Sequence, residues 1–286
     1  MCFSPHTHTH THTHTHTVNG DEMMIQRREK MSVWILLPIS LPVLTLPGIW
    51  IIYAMALSNQ HVCPVNNWVY NTTCEPSLVL QSGSDLCCTL DNIPLISKCG
   101  GVPPESCWFS LLCSAASFLV TVIGLLRYAQ LIHKESNNVL NIEGLFAGWL
   151  CAAGLMIVGN FQVDHAKVLH YVGAGLAFPA SLLFVCVQTL LSYRAAETRR
   201  DFQTAHLRLT LTSLAFITLI ISGMFFIQES FVLQHVAAIL EWMFAIIVLL
   251  FYSSFSHEFS SISSETLMAL MTRRAASSEG RKLEKV

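Results

Sequence analysis

Residues 236–255 read VAAILEWMFAIIVLLFYSSF, a run of 20 residues in which Glu241 is the only charged side chain. About 20 consecutive apolar residues are needed to cross the hydrocarbon core of a bilayer, which is ~30 Å thick. An unpaired backbone amide costs several kcal/mol in lipid, and a helix pairs its amides within its own segment. The stretch therefore predicts a membrane-spanning helix.

Five further stretches have the same character, and none of them contains Asp, Glu, Lys or Arg. They lie at 33–57, 108–126, 144–161, 168–193 and 209–228. The composition agrees, because 52% of the residues are hydrophobic and only 12% are charged, a balance that soluble domains rarely show. We predict an all-α integral membrane protein, a bundle of six transmembrane helices over 31–258 with a polar tail at 259–286.

Basic residues are distributed unevenly around the six predicted spans. If the N-terminus is cytosolic, 14 of the 16 Lys and Arg residues lie on the cytosolic side, and only Lys98 and Lys167 lie outside. Membrane proteins carry an excess of Lys and Arg in their cytosolic segments. Since the number of spans is even, we expect both termini in the cytosol.

The longest loop, at 58–107, is rich in cysteine. Its six cysteines are Cys63, Cys74, Cys87, Cys88, Cys99 and Cys107. Such density is typical of an oxidising compartment, so we expect a disulfide-stapled loop, although the sequence leaves several pairings open. A zinc site is the alternative, but adjacent cysteines are poor tetrahedral ligands, and we expect no metal.

Two other features of this loop predict its surroundings and its structure. Asn71 begins the sequence Asn-Thr-Thr, an acceptor for N-linked glycans, which places the loop in the lumen of the endoplasmic reticulum during synthesis. The fragments WVY and LIS are apolar and β-branched, so a short β-hairpin is a further expectation.

Several long motifs resemble the transmembrane protein 150 family, which belongs to a wider group with the damage-regulated autophagy modulators and the yeast Sfk-type proteins. The motifs are PGIWIIYAMAL at 47–57, CCTLDNIPLISKCG at 87–100, VGNFQVDHAKVLHYVGAGLAFP at 158–179 and LQHVAAILEW at 233–242. The resemblance runs from about Met31 to Leu267, and the cysteine-rich first loop is similar to that of the A-type branch.

This resemblance implies a multi-pass adaptor of the plasma membrane that regulates phosphoinositide metabolism. Its implied partner is phosphatidylinositol 4-kinase type III alpha with its membrane scaffold, which renews phosphatidylinositol 4-phosphate and the bisphosphate made from it. A channel, a transporter or a channel subunit is the alternative, as is an autophagy or lysosomal modulator. The spans argue mildly against conduction, because none of them carries a polar stripe.

The chain lacks the usual catalytic motifs. It has no Gly-rich phosphate loop, no HExxH and no G-x-S-x-G elbow. We therefore expect no enzymatic activity, no cofactor and no nucleic-acid partner.

A polar cluster is expected at the outer membrane edge. Its members are Asp164, His165, His170 and Glu241. A carboxylate within a span is costly and usually faces protein or water, so Glu241 is a candidate functional group, with His235 or the turn between spans three and four as its partner. For the turn itself we favour a structural interpretation, in which Asp164 is free to pair with Lys167. The alternative is a site that binds a cation or a lipid headgroup, or that senses pH through histidine.

The cytosolic face holds the candidate contacts with lipids and partners. Arg199, Arg200, Arg273 and Arg274 are positioned to attract the anionic inner leaflet, although membrane topology alone also explains them. In the tail, Met268 and Leu270 belong to an apolar patch, and with Ile262 they are compatible with a short amphipathic helix that docks a soluble partner.

The first 30 residues contain an alternating tract, PHTHTHTHTHTHT at 5–17, with six of the 13 histidines. A His-rich tract is a possible metal chelator. It lacks carboxylates or cysteines that would fix a coordination geometry, and it has no apolar face to bury. We expect residues 1–30 to be a disordered, non-functional extension, with the working protein starting near Met31.

Overall fold

The computed structural model describes residues 33–75, 77–81, 86–132, 138–260 and 262. Within these ranges, six helices are long and apolar enough to cross a membrane, which confirms the predicted architecture. They are α1 (Leu36–Ser58), α2 (Glu105–Leu131), α3 (Asn138–Asn160), α4 (Lys167–Arg194), α5 (Arg199–Phe226) and α6 (Phe231–Ser253). Short helices at Ile96–Cys99 and Ser256–Phe259 complete the α-helical elements of the described ranges.

The six helices form a closed ring. Each packs against its neighbours in the sequence, and α1 packs against α6, which closes the circle. We call the end that carries residues 59–75, 77–81 and 86–104, with the turns at 161–166 and 227–230, the loop end. The opposite end, with residues 195–198, 254–260 and 262, is the terminal end.

Small residues set the distance between neighbouring helices. A Cβ atom added to Gly154 in α3 would lie 2.8 Å from the Cα atom of Ala177 in α4. A Cβ atom at Gly173 would lie 2.7 Å from Ile157. In a membrane, helices associate mainly through such close packing, since lipid and neighbour are equally apolar.

Helix α5 begins ten residues before its predicted apolar run. Thr198 caps it, because its side chain accepts a hydrogen bond from the Asp201 amide while the Asp201 carboxylate accepts one from the Thr198 amide at 2.9 Å. This reciprocal capping satisfies amides that would otherwise lack partners at a helix start. The helix therefore extends beyond the apolar segment, and it carries polar residues at its terminal end.

The loop at the loop end is stapled by two disulfides, Cys63–Cys88 and Cys74–Cys87. Instead of the expected β-hairpin, the described residues contain a single isolated bridge between Tyr70 and Cys88, and it is parallel. A tight hairpin turn joins antiparallel strands, whereas parallel segments need a long crossover, so the hairpin prediction was wrong.

Candidate functional site

An ion pair between a fully buried arginine and a partly exposed glutamate lies at the terminal end of the ring. Arg208 in α5 is 0% exposed, and its Nη1 and Nη2 atoms donate to the two carboxylate oxygens of Glu258 at 2.5 and 2.9 Å. Two-pronged bonds between guanidinium and carboxylate are both strong and geometrically specific. The pair therefore fixes the position of the short helix Ser256–Phe259 against α5.

The Arg208 guanidinium donates further hydrogen bonds to α4 and to the segment after α6. Its Nε atom donates to the Ser254 hydroxyl at 2.8 Å, and Nη1 donates to the Ser192 hydroxyl at 2.6 Å. The Phe255 ring lies 4.5 Å from the guanidinium carbon, within the range of a cation–π contact. Arg208 thus joins α4, α5 and the segment after α6.

A second buried arginine approaches the same carboxylate. Arg127 in α2 lies with Nη2 at 3.6 Å from Glu258 and donates from Nε to Gln188 at 3.2 Å. The side chain of Gln130 donates to the Glu258 carbonyl at 2.7 Å. This arginine cluster, Arg127, Arg208 and Glu258, therefore holds two guanidinium groups against one carboxylate.

Residues beyond Glu258 also pack into the core. Phe259 is 0% exposed and Ile262 is 6% exposed, and both belong to the main hydrophobic core. The sequence predicts both residues in the polar tail, and it predicts Ile262 on a docking helix. The structure instead makes these two residues part of the bundle.

Some of the residues predicted to contact lipids or partners at the terminal end are exposed, and the others lie outside the described residues. Arg199 and Arg200 are exposed at the start of α5, as is Arg194 at the end of α4. Met268, Leu270, Arg273 and Arg274 lie outside the described residues. Arg127 and Arg208 were counted only as topological charges, and no local sequence signal indicated that Glu258 would pair with them.

The predicted polar cluster at the membrane edge is divided between a surface turn and the interior. Asp164 pairs with Lys98 of the loop and not with Lys167. His165 is exposed. His170 is buried, and its Nδ1 atom lies 2.7 Å from the Phe161 carbonyl. Glu241 lines an interior cavity, to which His170 also contributes.

His235 does not serve as the partner of Glu241. It is 0% exposed, with Nδ1 at 2.8 Å from the Tyr70 hydroxyl and Nε2 at 2.9 Å from the Val65 carbonyl. Burial raises the pKa of Tyr70 to about 12, so its hydroxyl keeps its proton at neutral pH. His235 therefore fastens the stapled loop to α6.

Four of the six candidate cysteines form the two disulfides, and the other two are free thiols. Cys107 is exposed, whereas Cys99 is buried, and burial raises the pKa of the Cys99 thiol. A buried thiol with a raised pKa is unreactive at neutral pH. Asn71 is exposed, as a glycan acceptor must be.

The described residues contain no group of three or more His, Cys, Asp or Glu side chains arranged to hold a metal ion. The terminal end combines buried arginines that pair with Glu258 and exposed arginines on its surface. It is suited to fixing a segment at a membrane surface and to attracting anionic groups.

The chain belongs to the class of membrane proteins described as the Frag1/DRAM/Sfk1/Cwh43P N-terminal domain, whose sequence profile matches residues 33–262. The match ends at Ile262, the last core residue described at the terminal end.

Individual relatives narrow this assignment to one branch. Transmembrane protein 150A of Xenopus laevis is 53% identical over 248 residues, which cover 87% of this chain and 92% of the relative. Transmembrane protein 150A of Homo sapiens is 54% identical over 241 residues, covering 84% and 89%. A more distant relative, Modulator of macroautophagy TMEM150B of Xenopus tropicalis, is 33% identical over 229 residues, covering 80% and 87%. The predicted family is confirmed, and no solved structure matches the chain.

Proposed function

We propose that the chain is a non-enzymatic adaptor of the plasma membrane that promotes phosphoinositide production. In this proposal, its terminal end faces the cytosol and engages phosphatidylinositol 4-kinase type III alpha together with the membrane scaffold of that kinase. The kinase would then act where its lipid substrate lies, renewing phosphatidylinositol 4-phosphate and its bisphosphate product.

The orientation in this proposal is supported by chemistry at both ends of the ring. The loop end carries two disulfides and an exposed glycan acceptor, Asn71, which suit the lumenal and extracellular side. The terminal end carries exposed arginines, which suit the cytosolic side.

The observation that carries the adaptor role is the anchoring of the segment after α6. Glu258 is bonded to Arg208, and Phe259 is buried beside it, so the described chain after α6 is held at a fixed point of the bundle. Arg199 and Arg200 are exposed at the same end. Each basic residue near an anionic leaflet contributes about 1 kcal/mol to the attraction between the protein and the membrane surface. A tail that starts at a fixed, positively charged surface is well placed to hold a soluble partner against lipid.

The test uses cells that lack the endogenous protein and receive either the full chain or a truncation that removes 263–286. After receptor-driven hydrolysis, recovery of the inner-leaflet bisphosphate is followed with a fluorescent headgroup sensor. We expect slower recovery with the truncation, and kinase capture on the membrane should fall in parallel. Delivery to the cell surface and glycosylation of Asn71 should be unchanged, because the truncation spares every described core residue.

A second arm addresses the loop between α4 and α5. Replacing Arg199 and Arg200 by Ala should slow recovery less than the truncation does. The pair contributes on the order of 2 kcal/mol at most to attraction towards the anionic leaflet. Replacing Arg199 and Arg200 by Lys is the matched control, since it keeps the charge. Normal recovery in cells carrying both the truncation and the Ala substitutions would exclude the adaptor function.

Autophagy is the second candidate function, because relatives 29% to 33% identical to this chain are named modulators of macroautophagy. The same cell lines separate the two functions. If autophagic flux depends on the chain and bisphosphate recovery does not, the result would favour the autophagy function.

A further inference from the structure

The centre of the helix ring contains a cavity of ≈ 180 Å³. Its walls come from α1, α2, α3, α4 and α6, with the short helix Ile96–Cys99 at the loop end. An apolar cavity of about 150 Å³ inside a soluble protein is large enough to bind benzene. The cavity at the centre of this ring is therefore large enough to hold hydrocarbon.

Two residues of α6 show that the cavity is long and narrow. Glu241 and Tyr252 both line it, and they are separated by 11 residues. At 3.6 residues per turn, this spacing is about three turns, so both side chains lie on one face of α6 and about 16 Å apart along its axis. Phe244 and Val248 line the cavity between them. The shape suits an extended chain better than a compact ring system.

The walls of the cavity are almost entirely apolar, and its polar groups are few. No Lys or Arg lines it within the described part of the chain. His170 lines it as well, but its Nδ1 atom lies 2.7 Å from the Phe161 carbonyl. Near the opposite end, the Tyr252 hydroxyl has no hydrogen-bond partner among the described residues.

Glu241 is the group in this cavity that is available to form a hydrogen bond with a bound ligand. The backbone of Ile96 is close enough to the Glu241 carboxylate to stabilise its negative charge. A carboxylate has two oxygens and about four acceptor positions, so this one neighbour leaves most of its hydrogen-bonding capacity unused. A carboxylate in apolar surroundings is costly unless donors or a cation approach it. The site therefore favours a ligand that has a hydrogen-bond donor at one end of a hydrocarbon chain.

We propose that this cavity binds a single-chain amphiphile taken from the surrounding membrane. The head of the amphiphile, an ammonium or a hydroxyl group, donates a hydrogen bond to Glu241, and its chain extends along Phe244 and Val248 towards Tyr252. The inference concerns the interior of the ring, and it is independent of the adaptor function of the terminal end.

The test uses the full chain in lipid nanodiscs and two probes, a long-chain alkyl amine and the matching alkyl alcohol. Each carries a photoreactive diazirine near the end of its chain. Cross-linking followed by peptide mass spectrometry should label α6 between Phe244 and Tyr252. Labelling confined to the lipid-facing surface of the ring would overturn the proposal.

Substitutions at Glu241 distinguish the ammonium head group of the amine probe from the hydroxyl head group of the alcohol probe. Glu241→Gln should lower capture of the amine at least about tenfold, because a bond to a charged group is lost, whereas the alcohol should still be captured by the amide. Glu241→Leu should abolish capture of both probes. Tyr252→Phe removes only the hydroxyl at the far end and should leave capture unchanged. A loss of capture in Tyr252→Phe, or full capture in Glu241→Leu, would overturn the assignment of the head to Glu241.

Filling the cavity tests its occupancy directly. Ala245 is half-buried and lines the cavity, so Ala245→Phe should exclude both probes. Ala115→Phe is the matched control, because Ala115 is exposed on α2. Equal capture by these two variants would contradict the proposal. If Ala245→Phe fails to fold, Ala174→Phe places the same bulk in the cavity from α4.

Discussion

Arg208 and Glu258 lie 50 residues apart in the sequence, and they form two hydrogen bonds of 2.5 and 2.9 Å at the terminal end of the ring. Arg208 is fully buried, so the carboxylate is the group that balances its charge. Breaking such a pair from one side leaves an uncompensated buried charge. The pair is therefore a structural requirement of the segment that follows α6.

Glu258→Gln should destabilise the folded protein by at most about 3–5 kcal/mol, because Arg208 loses its counter-charge while it stays buried, and the 22% exposure of the Glu258 side chain lowers the cost. The loss is measured as a lower thermal unfolding midpoint in detergent. Glu229→Gln is the control, since Glu229 is exposed in the turn before α6 and its substitution should leave the midpoint unchanged. A Glu258→Gln variant as stable as the parent would show that the arginine cluster contributes no stability.

The described spans could be predicted from the sequence, whereas the arginine cluster could not. A run of apolar residues is a local signal, and the bilayer thickness converts it directly into a helix. The pairing of Arg208 with Glu258 depends on how α5 and α6 pack, which no local pattern records. The same reason applies to the disulfides, since the choice of partners follows from the folded loop. The early start of α5 did carry a local signal in Thr198 and Asp201.

In the proposed plasma-membrane orientation, Cys107 should react with a membrane-impermeant thiol reagent on intact cells, without prior reduction, because it is free and exposed. Cys99 should stay unlabelled, since it is buried and burial raises the pKa of its thiol. Peptide mass spectrometry identifies the labelled residue. Cys107→Ser should remove the signal, and persistent labelling in that variant would indicate that another loop thiol is accessible.

Tyr70→Phe should loosen the contact between the stapled loop and α6. The substitution leaves the buried Nδ1 atom of His235 without its hydroxyl partner, a loss of about 1–3 kcal/mol. Hydrogen exchange should then increase in the loop and remain constant in α3. Tyr171→Phe, at a ring that is 43% exposed, provides the matched control. Unchanged exchange in Tyr70→Phe would show that the disulfides alone fix the loop.

Gly154→Ala should separate α3 from α4, because the added Cβ would lie 2.8 Å from the Cα atom of Ala177, which belongs to the backbone and cannot move aside. The thermal unfolding midpoint should fall. Gly175→Ala adds the same methyl group on α4, where no described atom lies within 4 Å of it. Alanine favours a helix over glycine by about 1 kcal/mol, so this control should be neutral or stabilising. A similar decrease in both variants would exclude packing as the cause.

Two truncations on either side of Phe259 should differ sharply. Removal of 263–286 spares Phe259 and Ile262, so the protein should reach its membrane at a normal level. Removal of 259–286 also deletes these two core side chains, and loss of a buried Phe alone costs about 3–5 kcal/mol. That chain should be retained and degraded, which is measured as loss of surface protein and of mature glycan at Asn71. Phe259→Ala in the full chain should reproduce part of the defect. Equal surface levels of the two truncations would show that the bundle is complete without Phe259, and that the tail begins directly after Glu258.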